Sequence, residues 1–486
     1  MHKALATLAL AAIPALALSA CNGNGAGGST AIAPLPNAPT TARKLHPHDN
    51  GPQDLHAGGA TFPAYGYNLA NQPVGNYNYP QSPPGVGSLF AAAPTNGTIY
   101  YCLTGSGAGR KAFEGGPADQ NAPPTGPCAP LGASPTGFGG RQDPLDFVGS
   151  DVAMPSNEYP TYQQYREPPS GTNWGEPFEF PTIGGPIVYG YRAKDFALTK
   201  LTKLRFSAWT YCAITNGTIS DWNDAAITQD NGGSVTGGVS EPITFYFRTD
   251  SSGTSYLFTN HLNKACNVSW KAPYNKAPYQ SPGRSAAWPY GVNMVWPGPG
   301  SSGNPNSHFI GENGNPGVLA AIQSTPFGTG YVEGAYAKAA NPPVAQALLQ
   351  NGNKLGQPFY ADPTNKTQVE NALKKVTASA ITYGEGSDGQ PLGTSRPECI
   401  LYIDPKNFVK PPAGTSYPIV GFSYFLFYGK NNSVHLADKQ TLINFMVSTN
   451  AARIIKKLEY TPLSNSVHTA ILNAMNGSGS KAPCLQ

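Results

Sequence analysis

Short apolar runs alternate with helical patterns along this chain, and that alternation constrains its fold more than any other feature. PLDFVGSDVAM, PTIGGPIVYGYR, EPITFYFRTD, GTGYVEGAYA, PECILYID and YPIVGFSYFLFYG are rich in aliphatic or aromatic side chains and bounded by turn residues. Between them lie SGTSYLFTNHLNKAC, GNPGVLAAIQST, TQVENALKKVTAS, ADKQTLINFMVSTNAARIIKKL and NSVHTAILNAM, whose apolar residues recur at helical spacing. Strands interleaved with helices predict an α/β architecture with largely parallel sheets. No internal repeat of fixed period interrupts the pattern.

Glycine and proline, 56 and 48 of 486 residues, mark where the alternation breaks. Proline/glycine/asparagine stretches at 71–98, 114–142, 155–178 and 270–307 read as surface loops inserted between the elements. Charged residues make up only 12% of the chain and the net charge is +4. That is too weak a field to argue for nucleic acid or an anionic membrane surface.

The first 21 residues, MHKALATLALAAIPALALSAC, join one lysine to a short apolar run and a small-residue end. The run is too short for a membrane anchor but suits a leader peptide. Leu18-Ser19-Ala20-Cys21 matches a bacterial lipobox, so residues 1–20 are expected to be removed and Cys21 lipidated. Residues 21–53 have no hydrophobic period and read as a tether. The other six cysteines form an even set suited to an oxidising compartment. Neighbourhood favours Cys102–Cys128, Cys212–Cys266 and Cys399–Cys484. No Cys/His spacing resembles a metal site, and HPHD at 46–49 lies in the tether, so no metal and no cofactor are expected.

Three stretches share one design: a strand-like run, small residues with a hydroxyl, then a helix start. They are GGATFPA with Thr61 and Phe62, LTGSGAGRKAF with Ser106, and FRTDSSGTSYLF with Ser252, Gly253 and Thr254 behind Arg248. A helix start presents unpaired N–H groups and a partial positive charge, which suits an anion. None is a nucleotide-binding P-loop, because GSGAGRKAF lacks the hydroxyl that should follow the lysine. DSSG at 250–253 has no His/Asp pair to make its serines nucleophilic, so no enzyme activity is expected.

With Gly149-Ser150-Asp151 at the end of another strand, the set resembles the phosphate-binding proteins of Pst-type ABC transporters, including the secreted DING-type binders. The resemblance runs in order through AGGATFPA (57–64), TGSGAG (104–109), DFVGSD (146–151), PTIGGPIV (181–188), FRTDSSGTSYLFTNHL (247–262), WPYG (288–291), GNPGVLAAIQSTPFGTGYVEGAYA (314–337), YPIVGFSYFLF (417–427) and LEYTPLSNSV (458–467). It implies that Thr61 and Phe62 offer backbone N–H groups, that Ser106 offers its hydroxyl and N–H, and that Arg248 forks onto the anion. Ser252, Gly253 and Thr254 would close the third side, Asp250 would orient Arg248, and Asp151 would accept a hydrogen bond from the anion. A carboxylate there makes sense only if the ligand carries a proton. Phosphate does and sulfate does not, so Asp151 should discriminate between them. Gly107 departs from the family by replacing a small hydroxyl residue, which suggests one lost contact.

The resemblance also implies a type II periplasmic-binding-protein-like fold: two α/β lobes, two hinge crossings and a ligand cleft between. Residues 54–187 plus 418–486 would form the first lobe and 188–417 the second. The expected protein is a monomeric, lipid-anchored receptor in the cell envelope. It would bind inorganic phosphate and deliver it to the permease and ATPase subunits of an ABC transporter, touching the membrane only through Cys21. The alternatives are a surface phosphate-binding or adhesion protein uncoupled from transport, and a phosphatase-like hydrolase.

Overall fold

The computed structural model describes residues 54–69, 84–116 and 145–486. The leader, the tether with Cys21, and Cys128 lie outside these residues. The strands are β1 (Leu55–Gly59), β2 (Ile99–Leu103), β3 (Phe147–Ser150), β4 (Pro177–Tyr191), β5 (Arg205–Phe206), β6 (Thr244–Arg248), β7 (Phe309–Glu312) and β8 (Gly328–Glu333). They continue with β9 (Ala345–Gln346), β10 (Leu348–Lys354), β11 (Gln357–Ala361), β12 (Ile381–Tyr383), β13 (Leu401–Ile403), β14 (Val420–Tyr428) and β15 (Thr461–Pro462).

Ten of these strands form one curled sheet in the order β2-β1-β3-β14-β4-β8-β6-β7, with β15 and β9 also pairing to β4. The flanks are parallel: β2, β1 and β3 at one end, β8, β6 and β7 at the other. The middle is antiparallel, because β14 and β4 run against each other and against their outer neighbours. The largely parallel sheet expected from the alternation is therefore interrupted at its centre.

The interruption comes from β4, whose 15 residues are all buried. Its first part pairs with β14 and its second with β8, so one strand joins both flanks. Pro181 and Pro186 sit within it, and a register shift opposite Phe422–Tyr424 accommodates the missing ladder donor. The chain returns beside this crossing just before β14. Ile187 N–H donates to Ile419 O at 2.9 Å, and Tyr417 Oη–H donates to Ile187 O at 3.0 Å. Two crossings thus run side by side.

Each flank has its own aromatic core. Tyr67, Phe90, Phe147, Phe180, Phe425 and Phe427 pack on one side of β4. Tyr189, Phe245, Phe258, Trp296 and Tyr331 pack on the other. Burying each such ring contributes roughly 1.5–3 kcal/mol. Cys212 pairs with Cys266 and Cys399 with Cys484, closing separations of 54 and 85 residues.

Two sequence expectations change. The single helix read over 437–458 is two, Leu436–Met446 and Thr449–Lys457, because Ser448 Oγ accepts from Ala451 N–H at 3.1 Å and caps a new start. The stretches at 155–178 and 270–307 are not merely surface loops. The first holds the helix Tyr159–Arg166, which buries Tyr159 and Tyr162; the second buries Trp288 and Trp296; and in the stretch 71–98 the helix Leu89–Ala92 buries Leu89 and Phe90. Among the described residues no helix is long and apolar enough to cross a membrane.

Candidate functional site

Parallel strands expose the N-termini of their following helices at the carboxyl edge, which is where α/β sheets bind ligands. Thr61 and Phe62 follow β1, Ser106 follows β2, Asp151 follows β3, and Arg248 is the last residue of β6. The helices Ser106–Glu114 and Gly253–Ala265 begin at this edge. The structure thus brings all of these residues together, and each of Thr61, Phe62, Ser106, Asp151, Arg248, Ser252 and Thr254 is at most 2% exposed.

Several of their backbone donors are unused. The N–H groups of Thr61, Phe62, Ser106, Gly253 and Thr254 find no acceptor among the described residues. Buried N–H groups are normally paired, so this unpaired set leaves donors that an acceptor-rich group would satisfy. The Ser252 N–H differs, donating to Met294 O at 3.0 Å. Its hydroxyl oxygen caps the helix through Ser255 N–H at 3.2 Å, which leaves the hydroxyl proton to offer.

Thr61 caps no helix. The helix Ala64–Asn68 starts behind Pro63 with no side-chain cap. Thr61 Oγ1 instead accepts from the N–H and Nδ2–H of Asn315, both at 3.2 Å.

Arg248 supplies the cation. Asp250 takes its Nε at 2.6 Å and also its Nη2, and Nη1 reaches Thr254 Oγ1 at 3.4 Å. That leaves outward N–H groups on a fork held rigid by Asp250. Arg110, the other buried arginine nearby, is bound by Glu158 at 2.6 and 2.9 Å and is not a second anion fork.

Asp151 is a buried carboxylate that receives hydroxyl protons. Ser423 Oγ–H donates to Oδ1, and Ser106 Oγ–H to Oδ2 at 3.4 Å. Burial pushes its carboxyl up to about 7, against the opposing pull of Ser423, Arg248 and Ser106. A group poised there can take a proton from a ligand or share one with it.

Gly107 is explained by packing and not by a lost contact. Its N–H donates to Ser251 O at 2.9 Å, and a side-chain carbon there would collide with the Cβ and Oγ of Ser251. Gly253 is equally constrained: a methyl there would collide with Ser106 Oγ and Asp151 Cβ.

A family model described as a PBP superfamily domain matches residues 84–450. The chain belongs to the PBP superfamily.

This PBP superfamily member is 27% identical over 427 residues to the phosphate-binding protein PstS 2 of Mycobacterium tuberculosis, covering 86% of this chain and 83% of that one. It shares its fold with a high-affinity periplasmic phosphate-binding protein (PfluDING) solved with phosphate bound, at a TM-score of 0.58 and 18% identity, over 88% of this chain and 95% of that one. The phosphate-binding protein of Stenotrophomonas maltophilia aligns at a TM-score of 0.55 and 19% identity, over 86% and 92% of the two chains.

Four residues of this PBP superfamily member escaped the sequence reading of the site. Ser423 holds Asp151 and was visible as the one aliphatic hydroxyl in a fully buried nine-residue strand. Asn315 joins Thr61 to Thr254 Oγ1, the latter at 3.3 Å, and opens a helix just after β7 as the other site residues do after their strands. Tyr460 Oη–H donates to Phe62 O at 2.7 Å and also meets Glu333 Oε2 at 3.0 Å. One hydroxyl proton cannot serve both acceptors. Burial pushes the Glu333 carboxyl up to about 8, and its Oε2 also accepts from Tyr336 N–H at 3.3 Å. No local signal marks that pair.

Proposed function

We propose that this protein is a lipid-anchored extracytoplasmic receptor that captures inorganic phosphate and delivers it to an ABC-type permease. The observation that carries the reading is Asp151: a buried acceptor, poised near neutral pH, set beside unpaired N–H donors and one arginine. The donors suit the unprotonated oxygens of a tetrahedral anion, and the carboxylate suits its P–OH. Sulfate offers no such proton and meets the carboxylate with repulsion. The names of the relatives agree with capture of phosphate, and none of them names an enzyme.

In this reading residues 54–187 plus 418–486 form one lobe and 188–417 the other, with β4 and the segment before β14 as hinges. Phosphate would bridge Thr61, Phe62, Ser106 and Asp151 to Arg248 and the turn Ser252–Thr254, favouring the closed state by its differential contacts. The Cys21 anchor would keep the receptor beside its permease in the envelope.

The test is calorimetric titration of phosphate-free mature protein with phosphate and with sulfate at pH 8. Phosphate should bind at least a hundredfold more tightly. Equal affinity for the two anions, or none for phosphate, would refute the reading. Replacement of Cys21 by serine should release the protein from the membrane fraction.

A further inference from the structure

Thr61 and Thr254 face each other across the site from opposite flanks of the sheet, and Asn315 lies between them, fully buried. A hydroxyl has two lone pairs and one proton. Thr61 Oγ1 receives two donors, the N–H and the Nδ2–H of Asn315. Thr254 Oγ1 also receives two, Asn315 Nδ2–H at 3.3 Å and Arg248 Nη1–H at 3.4 Å. Both lone pairs of each hydroxyl are therefore occupied by donors. The proton of each is left with no role except to donate, and neither hydroxyl has an acceptor among the described residues. The amide itself is held the right way round, because Asn315 Oδ1 accepts from Glu333 N–H at 3.3 Å, which turns the Nδ2 group toward the threonines.

We propose that Asn315 is a positioning residue that fixes the hydroxyl protons of Thr61 and Thr254 toward the bound anion, so that the site presents donors only on that wall. It touches no ligand and acts through the two threonines. The inference rests on the phosphate reading above and adds to it the reason two hydroxyls that could equally accept are committed to donating. It also assigns Asn315 a part in closure, since its amide hydrogen-bonds to one residue from each flank.

The competing explanation is that Asn315 merely fills space and holds Glu333 N–H. Asn315→Asp separates the two. An aspartate keeps the size and can still accept from Glu333 N–H, so a space-filling role ranks it above Asn315→Ala. A carboxylate instead accepts from both threonines and turns their protons away from the anion, so the proton-direction role ranks it below alanine, and that deficit, unlike plain charge repulsion, should disappear when Thr61 and Thr254 are both replaced by valine. The experiment is calorimetric titration of ligand-free wild type and both variants with inorganic phosphate from pH 6 to pH 9, with thermal melts confirming that each folds. Alanine should weaken binding on the order of tenfold. Aspartate at pH 9 should be weaker than alanine by about a further tenfold or more, and that deficit should shrink toward pH 6 as the new carboxyl regains a proton to donate. Arg248, Asp250, Asp151 and Glu333 surround the position in both variants, so the ratio of the two affinities removes their titration and that of phosphate itself. If alanine does not fold, Asn315→Ser takes its place in the same ranking. Aspartate binding as well as alanine at pH 9, or alanine within threefold of wild type, would overturn the inference while leaving the phosphate reading intact. A wild type that binds no phosphate would overturn both.

Discussion

Replacing Asp151 by asparagine should do two opposite things, and the structure sets the size of each. Burial raises this carboxyl from its ordinary 3.8 to about 7 in the folded protein. A carboxyl raised on folding stabilises the protein fully only while protonated. The stability is present below the unfolded value and is lost as pH rises through about 7. At about 1.4 kcal/mol per pH unit, the loss has an upper bound of about 4.5 kcal/mol above that point. Asparagine cannot ionise. Its oxygen can accept from Ser423, and its amide can face Ser106 Oγ. The ligand-free variant should therefore gain stability over wild type between pH 4.5 and pH 8. Binding should move the other way. Phosphate loses a charge-assisted acceptor for its P–OH, about 1.5–3 kcal/mol, while sulfate exchanges a repelling carboxylate for a donor. With tenfold for each 1.4 kcal/mol, the phosphate-to-sulfate preference should fall at least on the order of a hundredfold. The assay is urea unfolding of phosphate-free protein at pH 4.5 and 8, with titrations of both anions at pH 8. A preference unchanged within threefold, or no relative stabilisation on going from pH 4.5 to 8, would refute the reasoning.

Gly107→Ala forces a methyl against Ser251 across the site. It should weaken phosphate binding about tenfold or more while the ligand-free melting temperature stays within a few degrees of wild type, because the collision occurs where the flanks meet. An unchanged affinity would show that the turn yields. Glu333→Gln removes a carboxyl that burial raises to about 8 and keeps one of the two oxygens that accept from Ala335 and Tyr336 N–H. Wild type is fully stabilised below its unfolded value and loses that stability as pH rises through about 8. The variant should therefore gain on wild type by up to a few kcal/mol between pH 5 and 9. Urea midpoints that shift in parallel across that range would contradict it.

The turns after β1, β2, β3 and β6 were legible because they are written locally. A β-rich run, a few small residues and a hydroxyl ahead of a helix start determine which N–H groups are bared, whatever surrounds them. The break at Ser448 was missed although it too is local, because the apolar period continues across the cap.

Distant partners decided the rest. Asn315 meets Thr61 across 254 residues and Ser423 meets Asp151 across 272, separations over which no spacing rule operates. Gly107 looked like a missing hydroxyl until Ser251 was seen against it. The sequence by itself determined the alternating elements and the chemistry of each turn, because those depend on backbone conformation over a few residues. Only the tertiary structure decided that four carboxyl-edge turns lie beside one another, that β4 spans both flanks, and which partner each buried hydroxyl meets. Those properties belong to pairs of atoms, and folding alone makes them neighbours.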